Sequence, residues 1–339
     1  MKSKKPIYVI GHRNPDTDSI CSAIGYAHLK QALGENAVAA RAGKINAETK
    51  YALEYFKTEQ PLLLADLYPR VKDVAQDCKI VVKQHDTLRQ LGAVMREHDL
   101  RSVPVTDSKG ELVGIVTVSD LAKRYFQELN MQNLADMRVR YRDVIAATDS
   151  KVLVSGEEGA FIKGHVRIAA GSINMIKSTI AANDIVLVGD RHDETLIDIL
   201  SCEIACLIVT GSGRVSADVI EEAEKKGVFV LSTPYDTYTV ARLINQCVPI
   251  RRIMHQEPVC FKPLDLLSDI KGTMDETNYR NYPVVENGSI VGVVSRDNLM
   301  VPERERVILV DHNERGQAVE GIEEAKIIEI VDHHRLGGI

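Results

Sequence analysis

The sequence predicts an α/β fold: a parallel-sheet domain interrupted by a long insertion that holds a duplicated unit around a second α/β domain. Three observations carry this reading. Short apolar strands alternate with amphipathic helices from Ile7 onward. One pattern occurs twice, at 100–121 and 279–299. The strand-then-acidic-loop texture of residues 1–66 returns in residues 302–339.

Within residues 1–66 the pattern predicts a strand at Ile7–Ile10, a polar loop at Gly11–Asp18 and a helix at Ser19–Leu33. Gly34 is placed to stop that helix. A strand at Ala37–Arg41 and a helix at Ala47–Phe56 follow. Two or three strands are too few for an independent α/β domain, so the sheet needs completion from elsewhere. Residues 302–339 offer it, with apolar runs Val307–Val310 and Ile327–Val331. Joined, the two flanks supply four strands of one domain, interrupted by a cassette at 67–301.

The cassette divides into 67–126, 127–247 and 248–301. Its outer parts share Arg-x-x-Pro-Val, a turn, then Val-Gly within a second apolar run. Pro104 aligns with Pro283, Gly114 with Gly292, Thr117 with Ser295 and Asp120 with Asn298. Helical stretches precede both copies, at Thr87–His98 and Leu264–Glu276, and a helix is expected after each hairpin. Such a duplication predicts two modules related by a pseudo-twofold axis. Residues 127–247 alternate short β runs with helices and read as another α/β domain.

Composition narrows the function classes. Lys plus Arg total 42 against 48 Asp plus Glu, a net charge of −6, so no global basic field exists to hold nucleic acid. No apolar run approaches the ~18 residues that span a bilayer, and the basic N-terminus lacks a signal-peptide core. Neither a nucleic-acid nor a membrane partner is expected. The six cysteines are scattered without CxxC spacing, which suits a reducing cytoplasm. Cys202 and Cys206 would share a helix face among apolar neighbours, as buried thiols.

The strongest chemical signal is His12-x-x-x-Asp16-x-Asp18, on a loop between a strand and a helix. Ligands bind at the carboxyl ends of strands in open α/β sheets. Asp311 and His333 also follow strands, so all five side chains would meet along one edge if these strands are parallel neighbours. Histidine with several carboxylates and no cysteine suits Mn²⁺, Co²⁺, Zn²⁺ or Mg²⁺. Five hard ligands exceed what one tetrahedral ion needs, and two ions sharing a carboxylate would clamp a phosphoryl group. The plainer reading makes Asp18-Ser19 a helix cap. Adjacent acid and histidines at 332–334 are harder to explain structurally.

These residues resemble the DHH phosphoesterase superfamily through Asp332-His333-His334. The wording of 11–23, Val-Asp-His-Asn-Glu-Arg at 310–315 and Val-Asp-His-His-Arg at 331–335 resembles the family II, manganese-dependent inorganic pyrophosphatases more narrowly. The repeats resemble a pair of CBS modules. The segment between them, with Gly189-Asp190-Arg191 and Thr233-Pro-Tyr-Asp-Thr237, is similar to a DRTGG domain. The resemblance implies an α/β parallel-sheet DHH domain, incomplete here, with a CBS–DRTGG–CBS insert. It implies that His12 and Asp16 ligate one metal, Asp18 and His333 a second, and that Asp311 bridges them. His334 would face the substrate phosphate and Asp332 would orient a histidine. The implied reaction is hydrolysis of pyrophosphate to two phosphates with Mn²⁺ or Co²⁺, Mg²⁺ arriving on the substrate. In the family a further ligating Asp and a basic second domain follow position 339, so this chain alone is expected to turn over slowly or not at all.

The repeats suggest regulation. Thr117 and Ser295 follow strands, with Asp120 and Asn298 opening the next helices, where hydroxyls and backbone N–H groups suit phosphate and ribose. Arg280 and Tyr282 are candidate contacts by charge and stacking. Helix capping alone explains one copy. The duplication and the resemblance together favour AMP, ADP, ATP or a diadenosine polyphosphate, the 295–298 copy first. Gly211-Ser212-Gly213 reads as a turn. A homodimer is expected from the CBS resemblance. The competing functions are a DHH phosphodiesterase acting on oligonucleotides or cyclic dinucleotides, and a non-catalytic adenine-nucleotide sensor.

Overall fold

The computed structural model describes residues 5–78, 80–127, 134–277, 279–300 and 303–335. Residues 336–339 of the last segment and the junction at 301–302 lie outside the described residues. The chain forms two compact units: 1–77 with 260–286 and 291–339, and 78–259 with 287–290. Each unit therefore takes most of one repeat.

In the first unit a five-stranded, all-parallel sheet runs in the order Lys326–Val331, Arg306–Val310, Ile7–Ile10, Ala37–Arg41, Leu62–Leu63. Both flanks thus build one sheet, with Ile7 opposite Arg306 and Ile10 opposite Leu309. The short edge strand Leu62–Leu63 adds a fifth member to the four expected. Alternation sends Val9, Ile308 and Val310 to one face, under the helix Thr17–Ala32 with Ala23 and Ala27. Ile10, Val307 and Leu309 face the other side with Val319 and Ile322. The central strands are buried on both faces, so they are apolar along their length.

The same unit carries the second repeat: helix Leu267–Thr277, hairpin strands Asn281–Glu286 and Ser289–Ser295, and a 3₁₀ helix at Arg296–Met300 where an α-helix was expected. Gln76 pairs antiparallel with Val293 beside that hairpin.

The second unit carries the first repeat. Its four-stranded sheet runs His255–Gln256, Leu112–Thr117, Ser102–Thr106, Val82–Lys83, with helices Leu88–Glu97 and Val118–Gln127. Gly114 and Gly292, aligned between the repeats, do the same work. A Cβ on Gly114 would lie 2.8 Å from the His255 carbonyl oxygen, and one on Gly292 would lie 2.9 Å from that of Gln76. Each hairpin admits neighbouring backbone only because that position lacks a side chain. That backbone comes from beyond each repeat: the short strand 255–256 pairs with the first, and Gln76 makes a single bridge to the second.

The unit also holds a five-stranded sheet ordered Lys151–Val154, Phe229–Ser232, Cys206–Val209, Ile185–Val188, Val166–Ile168, parallel except for its first strand. Cys202 and Cys206 do not share a helix. The helix Asp193–Leu200 ends before them, Glu203 turns through φ +54°, and Cys206 opens a buried strand. All six cysteines are free thiols, and burial pushes the Cys247 thiol up to about 12. Gly211 and Ser212 form the turn expected of them, both at positive φ. Among the described residues, no helix is long and apolar enough to cross a membrane.

Candidate metal centre

Three neighbouring strands of the parallel sheet deliver their following loops to one edge. Ile7–Ile10 leads to His12, Asp16 and Asp18; Arg306–Val310 leads to Asp311; Lys326–Val331 leads to Asp332, His333 and His334. The first loop is shaped by close packing. A Cβ on Gly11 would lie 1.8 Å from Ser19 Oγ, and one on Gly43 would lie 2.5 Å from the Arg13 carbonyl oxygen. The His12 N–H donates to that same Ser19 Oγ at 3.1 Å. Asp16, not Asp18, is the helix cap: its Oδ1 accepts from the Ser19 N–H at 2.9 Å, and the helix starts at Thr17. Asp18 lies in the first turn, accepting from Ser22 Oγ at 3.2 Å.

The expected ligands converge on Asp311. His12 Nε2 lies 3.4 Å from Asp311 Oδ2 and 3.7 Å from Asp16 Oδ1. His333 Nε2 lies 3.3 Å from Asp311 Oδ1 and 3.6 Å from Asp18 Oδ2. Ligand atoms of His12, Asp16 and Asp311 lie within 4.8 Å of one another, as do those of Asp311, His333 and His334. Asp311 is the member common to both groups, with one oxygen turned toward each histidine. Its backbone is held at φ +61°, a strained value for a residue with a side chain. Burial, then the charge of Asp18, pushes the Asp311 carboxyl above the usual range, while His12 pulls the other way. A cation would relieve that repulsion.

Asp332 is tied down differently. His334 Nδ1 lies 2.7 Å from Asp332 Oδ1, the His334 backbone N–H donates to the same oxygen, and Asn313 Nδ2 donates to Oδ2. Burial alone would raise the Asp332 carboxyl, but these hydrogen bonds hold it below the ordinary range. In turn the bond to Asp332 lifts His334 above its usual value. His312, between Asp311 and Asn313 in sequence, is buried, and burial pushes its imidazole below the usual value, with Nδ1 facing the Val310 carbonyl at 2.9 Å. Around this edge lies a cavity of about 680 Å³. Arg13 and Arg335 join the acids and histidines in its lining. Sequence reasoning gave these arginines and Asn313 no role, although all three stand inside the motifs that drew attention.

The repeat residues behave otherwise. Thr117 Oγ1 donates to Asp120 Oδ2 at 2.7 Å, the Thr117 N–H reaches the same oxygen at 2.8 Å, and His255 Nε2 lies 2.8 Å from Oδ1. The Ser295 N–H and Oγ make the equivalent bonds to Asn298 Oδ1, at 2.9 and 2.7 Å. Arg280 is exposed at a bend. Tyr282 is a correction to the sequence reading. It is fully buried, packed on Phe261, with its hydroxyl bonded to Thr277 and Met274, so it offers no face for an adenine to stack on.

Comparison with known proteins agrees with this layout. The CBS domain family matches residues 71–126 and 250–301, and the DRTGG domain family matches 143–247. A Clostridium perfringens protein named cobalt-dependent inorganic pyrophosphatase is 36% identical over 99% of this chain and 62% of its own length. A Thermotoga maritima protein named a probable manganese-dependent inorganic pyrophosphatase is 35% identical over 100% of this chain and 62% of its own length. The chain thus spans about three-fifths of these curated relatives. The crystallised CBS and DRTGG regulatory region of Clostridium perfringens pyrophosphatase, complexed with the activator diadenosine tetraphosphate, aligns over 67% of this chain and 100% of its own. The TM-score is 0.63 at 31% identity. With the flanking acid–histidine edge and the inserted repeats both accounted for, the chain belongs to the manganese- and cobalt-dependent inorganic pyrophosphatase family, in its CBS- and DRTGG-containing form.

Proposed function

We propose that this chain is the metal-binding and regulatory portion of an enzyme that hydrolyses inorganic pyrophosphate to two phosphates. The single observation that supports this best is Asp311, whose two oxygens each face a histidine and which belongs to both ligand groups. His12 and Asp16 would hold one divalent ion, His333 and Asp18 the other, and Asp311 both. Manganese or cobalt suits this oxygen-and-imidazole donor set. Such a pair, when bound, supplies Lewis-acid polarisation of a phosphoryl group and charge neutralisation.

The protein's own groups do the rest. With Asp332 as acceptor, the proton of His334 sits on Nδ1 and Nε2 is left for the substrate side. The raised pKa of His334 favours a second proton there, ready to be donated to a phosphate oxygen. Arg13 and Arg335 line the same cavity and can receive phosphate charge. Adenine nucleotides, including a two-headed diadenosine polyphosphate, are the proposed ligands of the CBS modules, and a homodimer the proposed assembly. The named activator of the Clostridium perfringens region supports the nucleotide ligands.

The test compares, with Mn²⁺, phosphate release from pyrophosphate with mononucleotide release from a linear dinucleotide at equal concentration. Preference for pyrophosphate, however slow the turnover, supports the proposal. Preference for the dinucleotide assigns a phosphodiesterase instead. Nucleotide binding without Mn²⁺ retained after desalting assigns a sensor.

A further inference from the structure

A second large cavity, of about 610 Å³, lies wholly within the unit of residues 78–259. Helices Leu88–Glu97, Val118–Gln127 and Thr237–Asn245 surround it. Arg89, Arg96, Arg124 and Arg242 line it, and no Asp or Glu does. That is the reverse of a chain in which acids outnumber bases. Arg89, Gly92, Ala93 and Arg96 form one stripe at helical spacing, so two guanidinium groups flank a floor of small residues ~10 Å long. A Cβ on Gly92 would meet nothing within 4 Å, so the space above it is open.

The arginines are partly fixed in place. Arg89 donates to the Ala147 carbonyl, the Arg242 guanidinium lies 5.8 Å from the Tyr238 ring centroid, and Arg124 is buried at 7% exposure. Among the described residues, neither Arg96 nor Arg242 makes an ion pair with a carboxylate. Like charges around one hollow repel, and a multivalent anion removes that cost. Guanidinium forks match tetrahedral oxyanions in pairs. The length of the arginine stripe asks for charge spread along a ligand rather than a single phosphate.

We propose that this cleft binds a condensed phosphate, a chain of two or more phosphoryl groups, either inorganic or carried by a nucleotide. It lies outside the acid–histidine edge and does not depend on the catalytic reading. One wall belongs to the first CBS match and another to the DRTGG match, so an occupant would fasten the two together.

The test is calorimetric titration of the 339-residue chain with inorganic tripolyphosphate, in EDTA and low salt, so that bound metal contributes nothing. Arg96 and Arg242 are exposed, so Arg96→Gln/Arg242→Gln should retain its melting temperature. One ligand per chain is expected, with affinity at least about tenfold weaker in that variant and in Gly92→Glu, and unchanged in Asp311→Asn. Added NaCl should weaken it. ATP binding equal to tripolyphosphate would identify the phosphate chain as the whole ligand. Tighter ATP binding that is lost in Tyr125→Leu would identify a nucleotide, and either result supports the cleft. No binding of tripolyphosphate, or equal binding by Arg96→Gln/Arg242→Gln and Gly92→Glu, overturns it.

Discussion

The acid–histidine edge and the Thr117–Asp120 and Ser295–Asn298 pairs are built from similar polar residues after strands, yet they are opposites. In the pairs, Asp120 Oδ2 and Asn298 Oδ1 are already taken by their own loops, and Asp120 Oδ1 faces His255 Nε2. At the edge, Asp16, Asp18, Asp311, His12 and His333 point at one another at 3.3–3.7 Å without hydrogen bonds between them. A closed group stabilises the fold; an open one awaits a ligand. The contrast teaches that the same motif position can serve structure or chemistry, and that the difference lies in whether local donors satisfy it.

The largest expected effect tests the open group. Asp311→Asn should lower Mn²⁺ affinity by more than about 100-fold, since both proposed ion positions share that side chain, where removing a mere supporting residue costs about 10–100-fold. Equilibrium dialysis reads it directly. Asp332→Asn should come next, lowering affinity or phosphate release by about 10–100-fold while leaving the sheet intact. It keeps the shape but removes the carboxylate whose hydrogen bond raises His334 above its usual value.

Asp184 provides a closed group deep in the second unit and sharpens the contrast. Burial alone would raise its carboxyl, but the backbone N–H groups of Ala181 and His165 and the Arg167 guanidinium hold it below 3.8. A depressed carboxyl stabilises the fold above its unfolded pKa, and that contribution disappears as pH falls through the folded value. Asp184→Asn should therefore cost about 1–3 kcal/mol at neutral pH and less in acid, with Mn²⁺ affinity unchanged. Melting curves at about pH 7 and about pH 3 measure the convergence. The smallest effect is expected at Ser295→Ala, about 1 kcal/mol of stability and none in metal affinity. A drop in Mn²⁺ binding in either variant would break the distinction between closed and open groups.

Much of this was legible in the sequence. Parallel strands buried on both faces leave apolar runs, so Ile7–Ile10 and Val307–Val310 announced themselves, and the return of the acid-loop texture joined the flanks. The candidate ligands were readable because each follows such a run. Other features depend on contacts distant in sequence. Asp16 rather than Asp18 caps the helix because the Gly11–Ser19 contact sets where the helix begins. Tyr282 reads as a stacking residue until its hydroxyl partners at Thr277 and Met274 are seen. The aligned glycines marked the repeat, but the backbone they admit comes from outside it. The arginine cleft draws on three helices, and spacing along any one of them reveals only a stripe.

Anomalous diffraction from crystals soaked in Mn²⁺ tests the central claim most directly. Two peaks should flank Asp311, one beside His12 and Asp16 and the other beside His333 and Asp18. No peak at that edge, or a single ion that leaves Asp311 out, would contradict it.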